Sequence, residues 1–190
     1  MGQYMMEVKG CTRHGIGLKK YVFCVPYTDM EVITLGDDLL RQKAEPVKPI
    51  NAATAKLAEE MIETMHQSKG VGLAAPQVGL KQRLFVIHVD GDVPRVFINP
   101  SIVATSQETV KQEEGCLSLP GVWAEVIRPE SVRVQAWNEK GRPFTIETGG
   151  MLARVILHEY DHLEGILFID RLPELRRQKI LAKFEKKQQA

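Results

Sequence analysis

The segment that most restricts how this chain can fold is a helix carrying His158-Glu159-Tyr160-Asp161-His162 inside an apolar run. Gly149-Gly150 interrupt the chain ahead of it, and Met151, Leu152, Val155, Ile156, Leu157 and Tyr160 make the helix strongly apolar. Gly165 falls where a left-handed C-terminal cap is expected. Such a helix belongs in a core, where polar side chains need partners. Histidines at i and i+4 lie one above the other, so both imidazoles reach one metal ion. Glu159, about 100° further round, reaches a water beside it. The alternative is a solvated face with incidental histidines, and the apolar flanks argue against it.

The third ligand separates the hydrolase types that share this pattern. A third histidine ten residues after the first is excluded, because Phe168 stands there. A glutamate from a helix well downstream is disfavoured, because only Glu174 and Glu185 are available before Ala190. Cys116, in Glu114-Gly115-Cys116-Leu117-Ser118, is the better candidate. One thiolate and two imidazoles suit a borderline-soft divalent ion and leave a fourth position open. Taken alone, a lone cysteine reads as a buried structural thiol.

The rest of the chain predicts one mixed α+β domain without internal repeats. Asn51 caps a helix whose stripe is Leu57, Ala58, Met61, Ile62 and Met65. His66 at its end reads as an exposed helix-terminal residue rather than a ligand. Residues 83–90, 96–99 and 102–105 read as strands, and 131–137 with 144–148 as a hairpin turned by Asn138-Glu139-Lys140-Gly141. Gly70-Val71-Gly72-Leu73-Ala74-Ala75-Pro76-Gln77 follows a helix and carries no Gly-Lys-Ser/Thr, which excludes a phosphate cradle. It reads as a loop whose small residues let backbone approach an extended peptide. The expected fold is α+β, with small antiparallel sheets around the central metal-binding helix and further helices toward both ends.

Three blocks in order and spacing, residues 70–77, 114–118 and 158–165, make the chain resemble the peptide deformylases of bacterial type. The resemblance runs from about Met30 to the C-terminus and includes Ile98-Asn99-Pro100 and Gly165-Ile166-Leu167-Phe168. The family usually has glutamine immediately before the first histidine, where this chain has Leu157. The resemblance implies one divalent ion per chain on Cys116, His158 and His162, ferrous iron in the cell, with zinc, nickel or cobalt able to replace it. It implies Glu159 as general base, and Gln77 with the Leu117 backbone N–H as oxyanion donors. Val71, Leu119, Met151 and Val155 are then expected to line a methionine pocket, with ordinary core packing an equal reading for Leu119. Arg154 and Trp123 are expected near its mouth, against the peptide beyond methionine. Gly72 and Gly115 would offer backbone hydrogen bonds to an extended substrate. Glu114 and Arg128 are expected to form a supporting ion pair, with two solvated side chains as the alternative. The implied substrates are N-formylmethionyl nascent peptides, and the implied products are formate and a free N-terminal methionine.

Composition agrees with an enzyme of this kind. The 190 residues suit one domain, and 44% hydrophobic content supports a sizeable core. A net charge of +1 favours neither a membrane surface nor a specific nucleic acid sequence. Cys11, Cys24 and Cys116 cannot all pair and form no CxxC, so a disulfide framework is not expected and a cytoplasmic, bacterial setting is. Residues 1–29 read as an extension outside the catalytic domain at 30–190. A misassigned start is the favoured reading there, with a native extension or an organelle-targeting segment as alternatives. A basic amphipathic helix is expected at about 173–187, chiefly as a packed helix with a solvated face. Bacterial deformylases use a similar tail to dock at the ribosomal exit tunnel, where RNA phosphate supplies the opposite charge. The rival functions are a weak or inactive homologue that binds N-terminal peptides, a different zinc amidase, and a closed structural metal site. Intact Glu159 and Gln77 argue against the first, the missing third ligands against the second, and the three-residue donor set against the last.

Overall fold

The computed structural model describes residues 30–188; the segment 1–29, with its expected extension, lies outside them. Helix α1 (Ala52–Gln67) starts at Asn51, whose side-chain oxygen accepts from the N–H groups of Ala53 and Thr54 at 3.0 and 3.3 Å. Ala58, Met61 and Met65 bury its apolar stripe. His66 is exposed, with Nε2 2.8 Å from His88 Nδ1.

Five antiparallel strands form the larger sheet: β1 (Gly72–Ala74), β2 (Leu84–Ile87), β3 (Arg95–Thr105), β6 (Ser131–Trp137) and β7 (Pro143–Gly149), in the order β1-β2-β3-β6-β7. A second sheet is the hairpin of β4 (Thr109–Cys116) and β5 (Leu119–Pro129). Helix α2 (Gly150–Leu163) carries the two histidines, and α3 (Glu174–Gln188) closes the described chain. The fold is therefore the expected α+β arrangement.

Both faces of the larger sheet are covered. Leu73, Leu84, Val86 and Ile98 pack against α1, while Phe85, Ile87, Phe97 and Val134 pack with Ala153, Ile156, Leu157 and Leu163 of α2. That two-sided burial explains why β2 is a continuous apolar run. A third cluster joins Leu119, Ala124 and Val126 of β5 to Leu167, Phe168, Ile169 and Leu172, with Ile180 and Leu181 of α3 against it. Helix α2 thus packs its Ala153, Ile156, Leu157 and Leu163 against the larger sheet, which accounts for its apolar character.

Four details differ from the sequence reading. The segments 96–99 and 102–105 are one strand, bent where Pro100 contributes no N–H and the register shifts between Ile98 and Ser101. Asn99 takes φ +49° at the bend, and its amide exchanges hydrogen bonds with the Val47 backbone at 2.8 and 3.0 Å. Ladder pairing in 83–90 is confined to Leu84–Ile87. The small-residue loop contains a true strand, Gly72–Ala74, paired to β2. The β4–β5 hairpin was not anticipated, because its inward positions include the charged Glu114 and Arg128, which break the apolar alternation.

Candidate active site

Helix α2 is preceded by Gly149 at its N-cap, starts at Gly150 with φ +60°, and is followed after Glu164 by Gly165 at φ +72°. The Gly165 and Ile166 N–H groups donate back to the carbonyls of His162 and Asp161 at 3.2 and 2.9 Å, which satisfies the last turn. A Cβ at Gly165 would stand 2.5 Å from the Arg41 carbonyl oxygen, so this cap requires glycine twice over. His158, Glu159, Asp161 and His162 are all buried on this helix. The two imidazole centroids lie 5.2 Å apart, as i and i+4 stacking demands.

Cys116 arrives from the other side. It ends β4, where the register against β5 shifts between Gly115 and Cys116, and its Sγ lies 3.3 Å from His162 Nε2. One ligand atom from each of Cys116, His158 and His162 falls within 4.8 Å of the others. His162 Nδ1 and Glu159 Oε2 are buried without a hydrogen-bond partner in the structure. A soft thiolate and two imidazoles converging in this way suit a divalent cation with one position left open.

A network of charges holds the ligands from behind. Glu114 accepts from Arg128 Nε at 2.6 Å and Nη2 at 2.9 Å, and its Oε2 lies 2.9 Å from His158 Nδ1. An ionised carboxylate only accepts, so Nδ1 carries the hydrogen and Nε2 is left for the cation. Arg128 Nη1 also donates to Asp161 Oδ2 at 2.7 Å, and Arg171 Nε to the same oxygen at 2.7 Å. Burial works against the charge on Glu114, yet its hydrogen bonds to His158 and Arg128 hold its carboxyl well below the ordinary range. Burial raises Glu159 to about 7 and drives His162 well below the usual imidazole value. A carboxylate near neutrality is suited to taking and returning a proton.

Gln77 is almost fully buried at the end of the small-residue loop. Its Oε1 accepts from the Ala74 N–H at 2.8 Å, so Nε2 is the end turned to the site, 3.2 Å from Ser118 Oγ and 3.5 Å from Cys116 Sγ. A Cβ at Gly72 would collide with Glu159 Oε1 and stand 2.8 Å from Glu159 Cδ, so the absence of a side chain there is what lets the carboxylate in. At Gly115 an added Cβ would be 2.8 Å from the exposed Trp123 ring.

These residues border one cavity of about 500 Å³. Gln77, Cys116, Leu117, His158 and Glu159 line it, as do Val71, Gly72, Gly115, Leu119, Met151, Arg154 and Val155. His162 is not among the lining residues. Leu119 is fully buried and belongs also to the third core cluster, so both of its readings apply. Val71 and Met151 are about half exposed, at the open side. Arg154 departs from its expected place at the mouth. It is 6% exposed, and Nη1 donates to Glu114 Oε1 at 2.7 Å instead of facing outward. Leu157 packs in the first core cluster, and its carbonyl accepts from Arg128 Nη1 at 3.3 Å. Sequence reasoning assigned no task to Asp161 or Ser118. A second acid between the histidines of a buried helix was the available signal for Asp161; Ser118 offered none.

Residues 29–178 match the family model described as polypeptide deformylase. The peptide deformylase of Clostridium botulinum is 54% identical over 136 residues, covering 72% of this chain and 91% of that one. That of Neisseria gonorrhoeae is 45% identical over 161 residues, covering 84% and 96%. Among solved structures, the peptide deformylase of Thermus thermophilus aligns with a TM-score of 0.76 at 45% identity, covering 82% of this chain and 97% of that one. The Synechococcus elongatus enzyme, solved with actinonin, aligns at 0.78 and 42% identity, covering 81% and 86%. With the matched region spanning the whole cavity and the three metal-suited side chains, this chain belongs to the polypeptide deformylase family.

Proposed function

We propose that this peptide deformylase hydrolyses the formyl amide at the N-terminal formyl-methionine of nascent polypeptides, leaving formate and a free amine. The observation that carries the reading is the convergence of Cys116, His158 and His162 beside buried Glu159, on a cavity of methionine-compatible size. In this reading the three side chains hold one divalent ion, ferrous iron in the cell, with zinc, nickel or cobalt as replacements in purified protein. When bound, the ion supplies Lewis acidity and brings the pKa of water down towards about 7.

Glu159 takes a proton from the water that attacks the formyl carbon and returns it to the departing amine nitrogen. Its raised pKa of about 7 favours both halves of that task. Gln77 Nε2 and the Leu117 backbone N–H donate to the formyl oxygen as negative charge develops there, each worth about 3–4 kcal/mol at comparable sites. Val71, Leu119, Met151 and Val155 receive the methionine side chain, while Gly72 and Gly115 offer backbone to the peptide that follows.

The exposed Lys179, Lys183 and Lys186 of α3 support the further proposal that this helix docks on ribosomal RNA near the exit tunnel. Its buried Phe184 secures the opposite face. Truncation after Leu172 tests this: unchanged ribosome binding at low salt removes the idea. No helix among the described residues is long and apolar enough to cross a membrane. A cytoplasmic site of action, where nascent chains emerge, is part of the same proposal.

The deciding experiment is formate release from a formyl-Met-Ala-Ser peptide by anaerobically purified protein loaded with ferrous iron or nickel, beside Glu159→Ala. Turnover by the parent, with near-loss in a variant that still holds metal, is the expected result. A folded, metal-loaded parent that releases no formate would overturn the reading in favour of a peptide-binding homologue.

A further inference from the structure

Arg154 stands one turn before His158 on α2, so the two side chains leave the same face of the helix. Both end on Glu114. Arg154 Nη1 donates to Oε1 at 2.7 Å, and His158 Nδ1 lies 2.9 Å from Oε2. The rest of the guanidinium crosses the β4–β5 hairpin, with Nη1 3.1 Å from the Val126 carbonyl oxygen and Nη2 2.6 Å from that of Val110. The residue borders the cavity, yet its charge is committed to protein acceptors and shielded from solvent.

The geometry points to Arg154 as a positioning residue for His158, acting through Glu114, rather than as a contact for the peptide substrate. This rests on the ligand role proposed above for His158. Arg128 reaches Glu114 from β5, the neighbouring strand of the same hairpin, and its Nη1 goes on to Asp161 and to the Leu157 carbonyl on α2. Arg154 reaches Glu114 in one step, directly from the helix that bears His158. The contacts Arg154–Glu114–His158 therefore close a ring through one helical turn. Moving Glu114 to release the imidazole also breaks its bond to Arg154, so rotation of the His158 ring is opposed twice. With Glu114 held at Nδ1, His158 presents Nε2 toward Cys116 and His162.

The inference is tested in cobalt-loaded protein, reading cobalt affinity by chelator competition and the visible ligand-field bands beside kcat and KM. Arg154→Met removes the donors and keeps the bulk. It is expected to weaken cobalt binding about 10–100-fold, shift the visible bands, and lower kcat with KM held. Arg154→Lys, which keeps the charge without the fork, is expected to fall between parent and Met variant. Adding Arg154→Met to Glu114→Gln should cost little further affinity, because both changes open one ring.

Cobalt affinity and bands equal to the parent's in Arg154→Met overturn the inference, and a raised KM alongside them makes Arg154 a peptide contact. If the Met variant does not fold, the Lys variant decides: parent-like affinity and bands overturn the inference there. A folded parent that takes up no cobalt removes the ligand assignment itself, and the inference with it.

Discussion

Glu114 Oε2 lies 2.9 Å from His158 Nδ1, and the same carboxylate takes two hydrogen bonds from Arg128 at 2.6 and 2.9 Å. One acid on a strand thereby orients a ligand on a helix. It is itself fixed by a guanidinium that also reaches Asp161 on that helix. Replacing Glu114 with Gln keeps the shape and removes the charge. The variant is expected to hold metal about 10–100-fold more weakly, as loss of a partner behind a ligand does elsewhere. Because Arg128 would be left buried beside a neutral amide, a stability loss of up to about 3–5 kcal/mol is expected. Chelator competition and urea unfolding check the two effects separately, and parent-like values in both would remove Glu114 from the design.

Acid should act through the same carboxylate. Glu114 has a folded pKa below its ordinary value of 4.5, so it binds protons more readily when unfolded. The stability it contributes is complete above about pH 4.5 and is lost as pH falls toward the folded value. In metal-free protein the urea midpoint of the parent should therefore fall more steeply below about pH 4.5 than that of Glu114→Gln. Parallel pH dependences would contradict this.

Gly72→Ala places a methyl group against the Glu159 carboxylate. The carboxylate is the softer neighbour and is expected to yield, at a cost on the order of 100-fold in kcat, since a displacement of about 1 Å is enough for that loss. Far-UV circular dichroism and metal content should stay at parental values. Full activity in this variant would mean that Glu159 adapts without penalty.

Gln77→Ala removes the Nε2 donor while leaving the thiol and both histidines in place. The expected result is a fall in kcat of about 10²–10³ with metal retained. It also strips the Ala74 N–H and Ser118 Oγ of their partner, so about 1–3 kcal/mol of stability should go with it. Loss of metal in place of loss of kcat would reassign Gln77 to holding Cys116, whose Sγ is 3.5 Å away.

Phe184→Ala tests how α3 is attached. Phe184 is 5% exposed, and the truncation is expected to cost up to about 3–5 kcal/mol in the attachment of α3. Because α3 lies outside the cavity lining, the expected outcome is faster proteolysis beyond Leu172 with formate release preserved. Simultaneous loss of both would show that α3 supports the catalytic body.

Features that depend on neighbours along the chain are legible in the residues alone. The spacing of His158 and His162 is a property of one helix, the Asn51 cap of one turn, and the Gly165 stop of one φ angle. The hairpin over 131–149 was legible because its alternation and its Gly141 turn are local. The three blocks of resemblance placed Cys116 with the histidines before any geometry was known. The destinations of the charged side chains came from the folded arrangement instead. Only the resemblance suggested that Glu114 and Arg128 pair, and nothing local in the chain marked Arg154 or Asp161 as interior, yet all four are buried and joined. Their inward direction hid the β4–β5 hairpin and turned Arg154 away from the mouth of the cavity. The physical reason is that a charge can be buried only where opposite charge and backbone carbonyls from distant segments meet it, and that meeting is a property of the whole fold.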